Sequence, residues 1–473
     1  MQYRALGAIL GVSLLLATGA RAQGWSRFRG PNGSGTSETT GLPSSFGPEE
    51  NLRWRTAVAP GLSSPVLGDG TVFLTAADEL GLLVECIDSE KGDLRWERRI
   101  ERTHKLEVFP ANGSATPSPT TDGQNVYAFF PEFGLVSFDA KGEERWRLPL
   151  GPFVSFYGMA ASPILAADAL LLLCDQQQGS YLLAVDAAKG MVRWRTERQG
   201  MIESWTTPVL LPTGADPKTI VVFGSFFVCG YSVQSGKELW RHGGLGYTPV
   251  CSPVVGGADG SRVFASVPFH AEEPMPEFAG LSGSFDADKD GKLTKAELSA
   301  SEIVGHFGWV DANKDAFIDQ KEWDFVNAGM SSRDYGLVAF EWASDAKGLK
   351  ELWRYKRGLP SIATPLLLND VLYLVKHGGM LTTLDTATGD TLAFERLKDG
   401  EGDYDASPVS ADGKVFLANT EGRVIVIAAG REPKVLARCE LGEAIHATPA
   451  IGNGAIFVRT EKSLYCFART DKN

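Results

Sequence analysis

A short acidic segment that starts at Asp286 carries oxygen-bearing residues at the spacing of a calcium-binding loop. In a twelve-residue loop of this kind, oxygen atoms at positions 1, 3, 5, 7, 9 and 12 surround the ion, and a glycine at position 6 makes a sharp turn. Gly291 occupies that turn position. The pattern predicts a calcium site with these ligands: Asp286, Asp288, Asp290, the backbone carbonyl of Lys292, Thr294 and Glu297.

A second loop with the same spacing starts 25 residues later, at Asp311. Its turn position holds Ala316, and a non-glycine residue in the left-handed conformation costs about 1–2 kcal/mol. We therefore expect this second site to bind calcium roughly tenfold more weakly than the first. Its predicted ligands are Asp311, Asn313, Asp315, the backbone carbonyl of Phe317, Asp319 and Glu322.

Two such loops in tandem are typical of an EF-hand pair. Leu293 and Ile318, at position 8 of each loop, are apolar, as pairing between the loops requires. The alternative is an acidic, solvated segment that binds no metal, which would require two complete ligand sets to arise in tandem by chance. We expect the metal to have a structural role, because metal binding orders small metal-binding units.

The predicted EF-hand pair interrupts a sequence repeat. A Ser-Pro or Thr-Pro pair recurs eight times, and five of the seven steps between successive prolines are 41 to 45 residues long. One step is 112 residues, which places a small α-helical insertion at residues 268–334, with a short helix expected over 295–305. The eight pairs are Ser64-Pro65, Ser118-Pro119, Ser162-Pro163, Thr207-Pro208, Ser252-Pro253, Thr364-Pro365, Ser407-Pro408 and Thr448-Pro449.

Each repeat has the pattern of a small antiparallel sheet. The proline is followed by a turn, an apolar strand, and a second strand that leads into spaced Asp, Gly and Trp residues, as in Asp186, Gly190 and Trp194. The Asp caps a turn, the Gly permits a positive φ, and the Trp falls on the outermost strand. Such sheets cover one another's faces when they stand around an axis. The repeats therefore predict an all-β fold, an eight-bladed β-propeller with the insertion in blade 5.

The last repeat offers only three of its four strands. Residues 51–58 carry Trp54 and match the missing strand, so they are predicted to complete blade 8 and close the ring; the alternative is an open solenoid. The predicted organisation, in chain order, is a signal peptide at 1–22, a strap or linker at 23–50, blades 1 to 5 at 51–267, the insertion at 268–334, the remaining propeller at 335–469 and a tail at 470–473.

These repeats resemble those of the quinoprotein β-propellers, a family that includes pyrroloquinoline-quinone (PQQ) dehydrogenases and the lipoprotein BamB. The resemblance covers roughly residues 51–469 without the insertion, and it implies a quinoprotein-type propeller. The opening Trp-Ser-Arg-Phe-Arg-Gly-Pro-Asn-Gly at residues 25–33 resembles the start of exported bacterial members with no assigned reaction. Because blade packing alone demands the repeat, the repeat does not specify a reaction.

The resemblance implies where a cofactor would lie. Quinone enzymes of this family hold PQQ on the ring axis above a Trp, under a lid of two adjacent cysteines, beside a calcium ion held by Glu, Asn and Asp. No adjacent cysteines and no matching ligand set occur here, and the Cys that anchors BamB to lipid is also missing. Calcium, held by the two acidic loops, is the expected cofactor. PQQ is possible, but neither a cysteine lid nor a calcium–quinone ligand set supports it. The six cysteines are Cys86, Cys174, Cys229, Cys251, Cys439 and Cys466.

The segments just before each Ser/Thr-Pro pair should line one mouth of the axial channel. A mouth with aromatic and acidic groups can bind a polar small molecule or a peptide; the alternative is that these are ordinary loop residues packed between blades. The best candidates for ligand contact are Tyr157, Trp205, Tyr247, Asp403 and His446. The same segments also carry Asn112, Glu203, Tyr404 and Asp405.

Charge and composition exclude one class of partner and indicate export. The formal net charge of −12 argues against nucleic acid, because nucleic-acid binding needs a basic face. Arg4, a short apolar run, and the small residues Ala20 and Ala22 have the order of a secretory signal, with a membrane anchor as the weaker alternative. No later segment is apolar for long enough to span a bilayer. We expect a periplasmic or secreted protein.

Two functions follow from these observations. The first is a non-catalytic, exported propeller that binds a protein or carbohydrate partner, with calcium bracing one blade. The second is an oxidoreductase that uses PQQ on the ring axis. The missing cysteine lid and calcium–quinone ligands favour the first function. No catalytic residue is assigned, because no nucleophile, phosphate-loop or paired-carboxylate motif stands out.

Overall fold

A computed structural model gives the fold of the chain. The signal peptide predicted at residues 1–22 and the predicted calcium ligand Asn313 lie outside the described residues. The structure describes residues 24–105, 112–177, 179–214, 216–257, 260–268, 275–311, 315–330, 334–343 and 348–470.

Eight four-stranded antiparallel sheets make up the described propeller. The described part of the chain starts with a strap, residues 24–50, that contains a 3₁₀ turn at Pro31–Gly33, and continues into strand β1, Leu52–Ala57. Blades 1 and 2 contain β2 Val66–Gly68, β3 Thr71–Asp78, β4 Gly81–Asp88, β5 Leu94–Ile100, β6 Thr120–Thr121, β7 Val126–Phe130, β8 Gly134–Phe138 and β9 Glu144–Pro149. Blades 3 and 4 contain β10 Ile164–Ala166, β11 Ala169–Cys174, β12 Tyr181–Asp186, β13 Val192–Glu197, β14 Val209–Leu211, β15 Thr219–Gly224, β16 Phe227–Ser232 and β17 Glu238–His242.

Blade 5 is split by the insertion. Its first two strands and the insertion are β18 Val254–Gly256, β19 Arg262–Val267, α1 Phe278–Phe285, β20 Leu293–Thr294, 3₁₀ turns at Glu297–Ala300 and Glu302–His306, α2 Phe307–Val310, β21 Phe317–Ile318 and α3 Gln320–Met330. The remaining strands of blades 5 to 8 are β22 Gly336–Trp342, β23 Leu349–Tyr355, β24 Leu366–Leu368, β25 Val371–Lys376, β26 Met380–Asp385, β27 Thr391–Arg396, β28 Val409–Ala411, β29 Lys414–Ala418, β30 Arg423–Ala428, β31 Lys434–Glu440, β32 Ala450–Gly452, β33 Ala455–Arg459 and β34 Ser463–Ala468.

The core lies between the blades. Every residue of β11 is buried, because a middle strand is covered on both faces by neighbouring blades. The outer strand β1 instead buries only Trp54 and leaves its other residues partly or fully exposed. The sequence pattern thus follows the burial of each strand. Middle strands are covered on both faces and carry runs of apolar residues, whereas outer strands are largely exposed and carry single Trp residues.

Outer-strand Trp residues fasten neighbouring blades together at five of the junctions. The indole N–H of Trp54 in blade 8 donates to the carbonyl of Ser89 in blade 1, at 3.1 Å, and its ring lies on Gly92. A Cβ at Gly92 would stand 2.6 Å from that ring, so the turn needs glycine both for this contact and for its φ of 79°. The same contact recurs between Trp96 and Gly142, Trp146 and Gly190, Trp194 and Gly236, and Trp353 and Gly389.

Strand β1 closes the ring, as the sequence predicts. It pairs antiparallel with β34, with Trp54 opposite Cys466 and Ala57 opposite Ser463. Blade 8 is therefore built from strands at both ends of the described chain, and the open-solenoid alternative is excluded.

The helix expected over residues 295–305 is not continuous. The structure has two 3₁₀ turns there, separated by Ser301, whose backbone is extended (φ −99°, ψ 146°). The Ser301 hydroxyl accepts the N–H of Ile303 and so starts a new turn. The prediction of one helix was wrong because this N-terminal cap competes with helix continuation.

The contact between Trp146 and Gly190 gives a test of the blade interlock. Gly190→Ala would place a Cβ 2.6 Å from the Trp146 ring, whereas Gly413, at a similar φ of 70°, has no atom within 4 Å of that position. We expect Gly190→Ala to lower the free energy of unfolding by about 1–3 kcal/mol more than Gly413→Ala, because overpacking adds to backbone strain. Denaturant unfolding of both variants measures the difference, and equal losses would contradict the interlock.

Candidate functional site

The hydroxyl groups of the eight Ser/Thr-Pro pairs form a closed ring of hydrogen bonds around the axis. The backbone N–H of each Ser or Thr donates to the hydroxyl oxygen of the equivalent residue in the next blade, at 2.9–3.0 Å. Thr448 in blade 8 donates back to Ser64 in blade 1 and completes the circle. We call this ring the hydroxyl collar; its members are Ser64, Ser118, Ser162, Thr207, Ser252, Thr364, Ser407 and Thr448.

The hydroxyl collar borders a cavity of about 930 Å³, which all eight of its residues line. Four of the five predicted mouth candidates line the same cavity. They are the aromatic residues Tyr157, Trp205 and Tyr247, and also His446. The insertion contributes apolar side chains to the lining: Met275, Ile303, Val310 and Trp323. The insertion in blade 5 therefore lies over the mouth of the axial channel.

The aromatic wall of the cavity is held by hydrogen bonds. The indole N–H of Trp205 donates to the Gly158 carbonyl at 2.7 Å, and the ring meets that of Tyr157 edge-on at 5.5 Å. The buried carboxylate of Glu203 accepts the backbone N–H of Phe156. These contacts fix the wall before any ligand enters.

A ring contact joins this wall to the insertion. Phe226, in the turn between β15 and β16, lies 5.4 Å from the ring of Tyr247 on one side. On its other side it meets Phe325 of α3 edge-on, also at 5.4 Å. The position of the insertion is thus coupled by packing to a residue of the cavity.

His446 and Asp405 form a hydrogen-bonded pair in the cavity lining. The Nδ1 of His446 lies 2.8 Å from Oδ2 of Asp405. Because an ionised carboxylate only accepts hydrogen bonds, Nδ1 carries the proton. The bond to Asp405 raises the pKa of His446 above its usual value, while partial burial acts in the opposite direction.

Asp403 and Tyr404 do not line the cavity. Asp403 lies 3.5 Å from the ring of His377, and the Tyr404 hydroxyl is buried and donates to the Gly400 carbonyl at 2.7 Å. Asp405 thus lines the cavity, whereas the carboxylate of Asp403, two residues earlier, lies beside His377 instead.

The first predicted metal loop brings its carboxylates together. Oxygen atoms of Asp286, Asp288 and Asp290 lie within 4.8 Å of one another. Asp286 Oδ2 accepts the N–H of Gly291 at 3.0 Å, but its Oδ1 is buried and has no hydrogen-bond partner in the described structure. A buried carboxylate oxygen without a donor is costly unless a cation compensates it. This set of hard oxygen donors fits a metal ion.

The second predicted loop repeats these contacts. Asp311 Oδ2 accepts the N–H of Ala316 at 3.2 Å, and its buried Oδ1 has no hydrogen-bond partner among the described residues. Ala316 has a φ of 70°, as its turn position requires. The loops pair through β20 and β21, with Leu293 opposite Ile318. Both loops therefore belong to one unit with a shared apolar core.

Several cavity residues were missed by the sequence analysis. The hydroxyl collar was used to count blades but was given no role, although its position before each proline is the signal that marks it. Phe156 and the insertion residues Met275, Val310 and Trp323 carry no motif that links them to the channel. Their place follows from how the insertion folds back over blades 3 and 4.

Comparison with a family of known sequences identifies the propeller. The sequence model described as "Outer membrane protein assembly factor BamB" matches residues 48–155 and 323–473, more than half of the chain. The chain belongs to this BamB family. The match spans the first two blades and the last three, and it leaves out most of the insertion. A comparison with curated proteins gave no match.

Solved structures share the BamB-family fold at low sequence identity. BamB from Moraxella catarrhalis has a TM-score of 0.55 at 12% identity, covering 89% of this chain and 98% of that one. A europium-containing methanol dehydrogenase has a TM-score of 0.63 at 10% identity, covering 95% and 99%. Quinohemoprotein alcohol dehydrogenase from Comamonas testosteroni has a TM-score of 0.58 at 12% identity, covering 97% and 83%. These similarities show the quinoprotein-type propeller and no more.

The cysteines of this BamB-family propeller are buried thiols. All six are free and buried, and none lines the axial cavity. Cys251, next to the hydroxyl collar, lies 3.4 Å from the Ala363 carbonyl, and burial raises its pKa to about 12. Separately, no helix in the described part of the chain has both the length and the apolar composition that crossing a membrane would require.

The His446–Asp405 pair predicts a titration. In Asp405→Asn the carboxylate is lost, so we expect the pKa of His446 to fall relative to the unaltered protein, as measured by NMR across pH 5 to 8. Because the folded-state pKa of His446 is raised, the pair stabilises the fold fully below the unfolded pKa of about 6.5 and less as pH rises through the folded pKa. A His446 pKa that does not respond to Asp405→Asn would contradict this assignment.

Proposed function

We propose that the chain is an exported, calcium-binding β-propeller that acts as a binding protein, with its ligand site in the axial cavity beneath the insertion. One observation carries the proposal. Side chains of the insertion, the aromatic wall and the hydroxyl collar line a single cavity. The metal-binding unit thereby forms the roof of the ligand site, and calcium that orders this unit also shapes the cavity.

Calcium is the metal that suits the insertion. The two loops supply carboxylate, hydroxyl and carbonyl oxygens at EF-hand spacing, and calcium prefers six to eight such ligands. The unpartnered oxygens of Asp286 and Asp311 stand at position 1 of each loop, where an EF-hand ligand is required. Asn313 completes the second set by sequence. Exported proteins meet high calcium concentrations, so modest affinity is sufficient.

The cavity suits a small molecule or a short protruding part of a larger partner. Its volume of about 930 Å³ falls within the range of small-ligand sites, roughly 300–1,000 Å³. The description of the matching family, an outer membrane protein assembly factor, supports a protein partner. A side chain or chain end of that partner would enter the mouth between the insertion and the aromatic wall. No comparable support exists for a carbohydrate.

A PQQ-dependent oxidoreductase is the second candidate, supported by a cavity on the axis of a quinoprotein-type propeller. The surrounding residues do not fit the quinone as the family holds it. No cysteine borders the cavity, so the disulfide lid has no counterpart. The cavity carboxylates Glu203 and Asp405 already accept bonds from Phe156 and His446. The binding function therefore ranks first.

Calorimetric titration with Ca²⁺ tests the proposal. We expect two binding events, with the tighter one lost in Glu297→Gln and the weaker one lost in Glu322→Gln, because each variant removes a carboxylate ligand. Glu302→Gln, an exposed glutamate of the insertion outside both loops, is the matched control and should leave both events unchanged. Binding that persists in Glu297→Gln would exclude the assignment.

Hydrogen exchange tests whether calcium shapes the cavity. Removal of Ca²⁺ with a chelator should increase amide exchange in residues 275–330 and also in cavity segments such as 203–207, which the insertion covers. In Glu297→Gln the cavity segments should exchange faster even with calcium present. Faster exchange confined to the insertion would show that the metal has no influence on the cavity.

Reconstitution separates the two candidate functions. With PQQ and Ca²⁺ added, we expect no bound quinone absorbance and no dye reduction with alcohols, because the lid and ligand set are missing. A purified quinoprotein alcohol dehydrogenase serves as the positive control. Bound quinone with turnover would put the oxidoreductase first.

A further inference from the structure

A second ring of eight equivalent residues lines the axial cavity. It consists of the residue two positions before each member of the hydroxyl collar, and we call it the lining ring. Two of its members, Asp405 and His446, belong to the neighbouring blades 7 and 8 and are hydrogen-bonded to each other. Ionisable groups in the lining ring are therefore confined to one side of the cavity. The other six members are apolar or carry a single hydroxyl: Leu62, Thr116, Ala160, Trp205, Val250 and Ile362.

The opposite side of the lining ring is aromatic. Trp205 precedes blade 4, which stands across the axis from blade 8 in a closed circle of eight blades. The planes of Trp205 and Tyr157 meet at 67°, and those of Tyr157 and Phe156 at 88°, so the three rings form a corner. Tyr157 is 39% exposed, which makes this corner accessible to a ligand. Such rings bind apolar groups and attract cations to their faces.

The Asp405–His446 pair adds two hydrogen-bond acceptors to the lining. Nδ1 of His446 carries the proton that Asp405 Oδ2 accepts, so Nε2 of the neutral imidazole is an acceptor, as is Oδ1 of the ionised carboxylate. Neither Nε2 nor Oδ1 has a hydrogen-bond partner among the described residues, and the two side chains are 32% and 25% exposed. A ligand group that reaches the pair must bring donors. A charged donor is favoured, because the pair has a net charge of −1.

No basic side chain competes for this position. The described part of the cavity lining contains no lysine or arginine, although the chain has 46 of them. Its carboxylates are Glu203 and Asp405, so the lining is negatively charged when His446 is neutral. The buried strap residues Arg27 and Arg29 donate to backbone carbonyls and do not line the cavity.

The insertion strengthens any charge interaction below it. Its side chains Met275, Ile303 and Val310 are apolar and line the same cavity. They exclude water from this part of the lining, and both ion pairs and cation–π contacts are stronger where water is excluded.

We propose that the Asp405–His446 pair binds a cationic nitrogen group, so that the ligand of the axial cavity carries an ammonium or guanidinium group on an apolar or aromatic body. The cation donates hydrogen bonds to Asp405 and His446, and the body packs against the corner formed by Phe156, Tyr157 and Trp205. This inference rests on the proposed function and adds the chemical class of the ligand.

Calorimetry with matched aromatic probes tests the cation site. The calcium-loaded full chain is titrated with 2-phenylethylammonium, with its neutral equivalent 2-phenylethanol, and with the anion 3-phenylpropanoate. We expect the ammonium to bind about tenfold more tightly than the alcohol, as a hydrogen bond to a charged group provides. The carboxylate should bind most weakly, because Asp405 repels it.

A second matched pair distinguishes two sources of the cation. N-acetyl-lysine amide carries the ammonium of a protein side chain, and N-acetyl-norleucine amide lacks it. Tighter binding of the lysine compound would assign the cation to a protein partner. A preference confined to 2-phenylethylammonium would assign it to a free aromatic amine.

Three variants make the outcome specific. Asp405→Asn should remove the preference for ammonium over alcohol without changing alcohol binding; Asp405→Ala replaces it if that variant does not fold. Asp403→Asn is the matched control, because this carboxylate lies beside His377 outside the cavity, and the preference should be unchanged. Trp205→Ala should weaken both probes, because it alters the shared corner.

Protonation of His446 provides a further readout. The bond to Asp405 raises the pKa of His446; its other charged neighbours are Glu461 and Arg459, which border a smaller cavity with it. Below that pKa the imidazolium neutralises Asp405, whereas the ammonium probe stays charged. We expect its affinity to fall towards that of 2-phenylethanol between pH 8 and pH 5, and His446→Gln to abolish this fall.

Defined results overturn the cation site. Equal affinity for ammonium and alcohol, no binding of the ammonium at millimolar concentration, or a preference that persists in Asp405→Asn would each exclude it. Failure of the proposed function looks different: probe binding that Trp205→Ala does not weaken would place the ligand outside the axial cavity, whatever the charge of the probe.

Discussion

One hydrogen bond per blade at the axis sets the geometry of this propeller. The N–H before each proline donates to the hydroxyl of the next blade, and the circle closes only when the eighth blade reaches the first. A net contribution of about 0.5–1.5 kcal/mol per bond is small, but the closed ring fixes the angle between all blades at once. A hydroxyl is needed at each position because a buried N–H without an acceptor is costly. Ser and Thr supply it in the least space.

The collar holds the inner edge of all eight blades and outer Trp residues hold the outer edge at five junctions, so the loops between strands are free to vary. The insertion uses this freedom. It leaves blade 5 between β19 and β22, which remain paired from Val267 and Gly336 outward. The sheet is therefore intact, and a folded unit with its own core can stand above the axis without disturbing blade packing.

The lining of the axial cavity combines aromatic rings with carboxylates. Tyr157, Trp205 and Tyr247 supply the rings, and Glu203 and Asp405 supply the carboxylates. Both carboxylates are already engaged, because Glu203 accepts the N–H of Phe156 and Asp405 is bonded to His446. The lining is therefore held in place by bonds within the propeller itself.

The number of blades, the closure by residues 51–58 and the spacing of the two acidic loops can be read from the sequence alone. Each of these depends on short patterns whose geometry is local, such as an Asp that caps its own turn or carboxylates at fixed loop positions. The tertiary structure decided what meets at the axis. Asp403 turned away while Asp405 faced the cavity, Ser301 interrupted an expected helix, and Arg27 became a buried donor. These outcomes depend on contacts between residues far apart in the chain, which local periodicity does not encode.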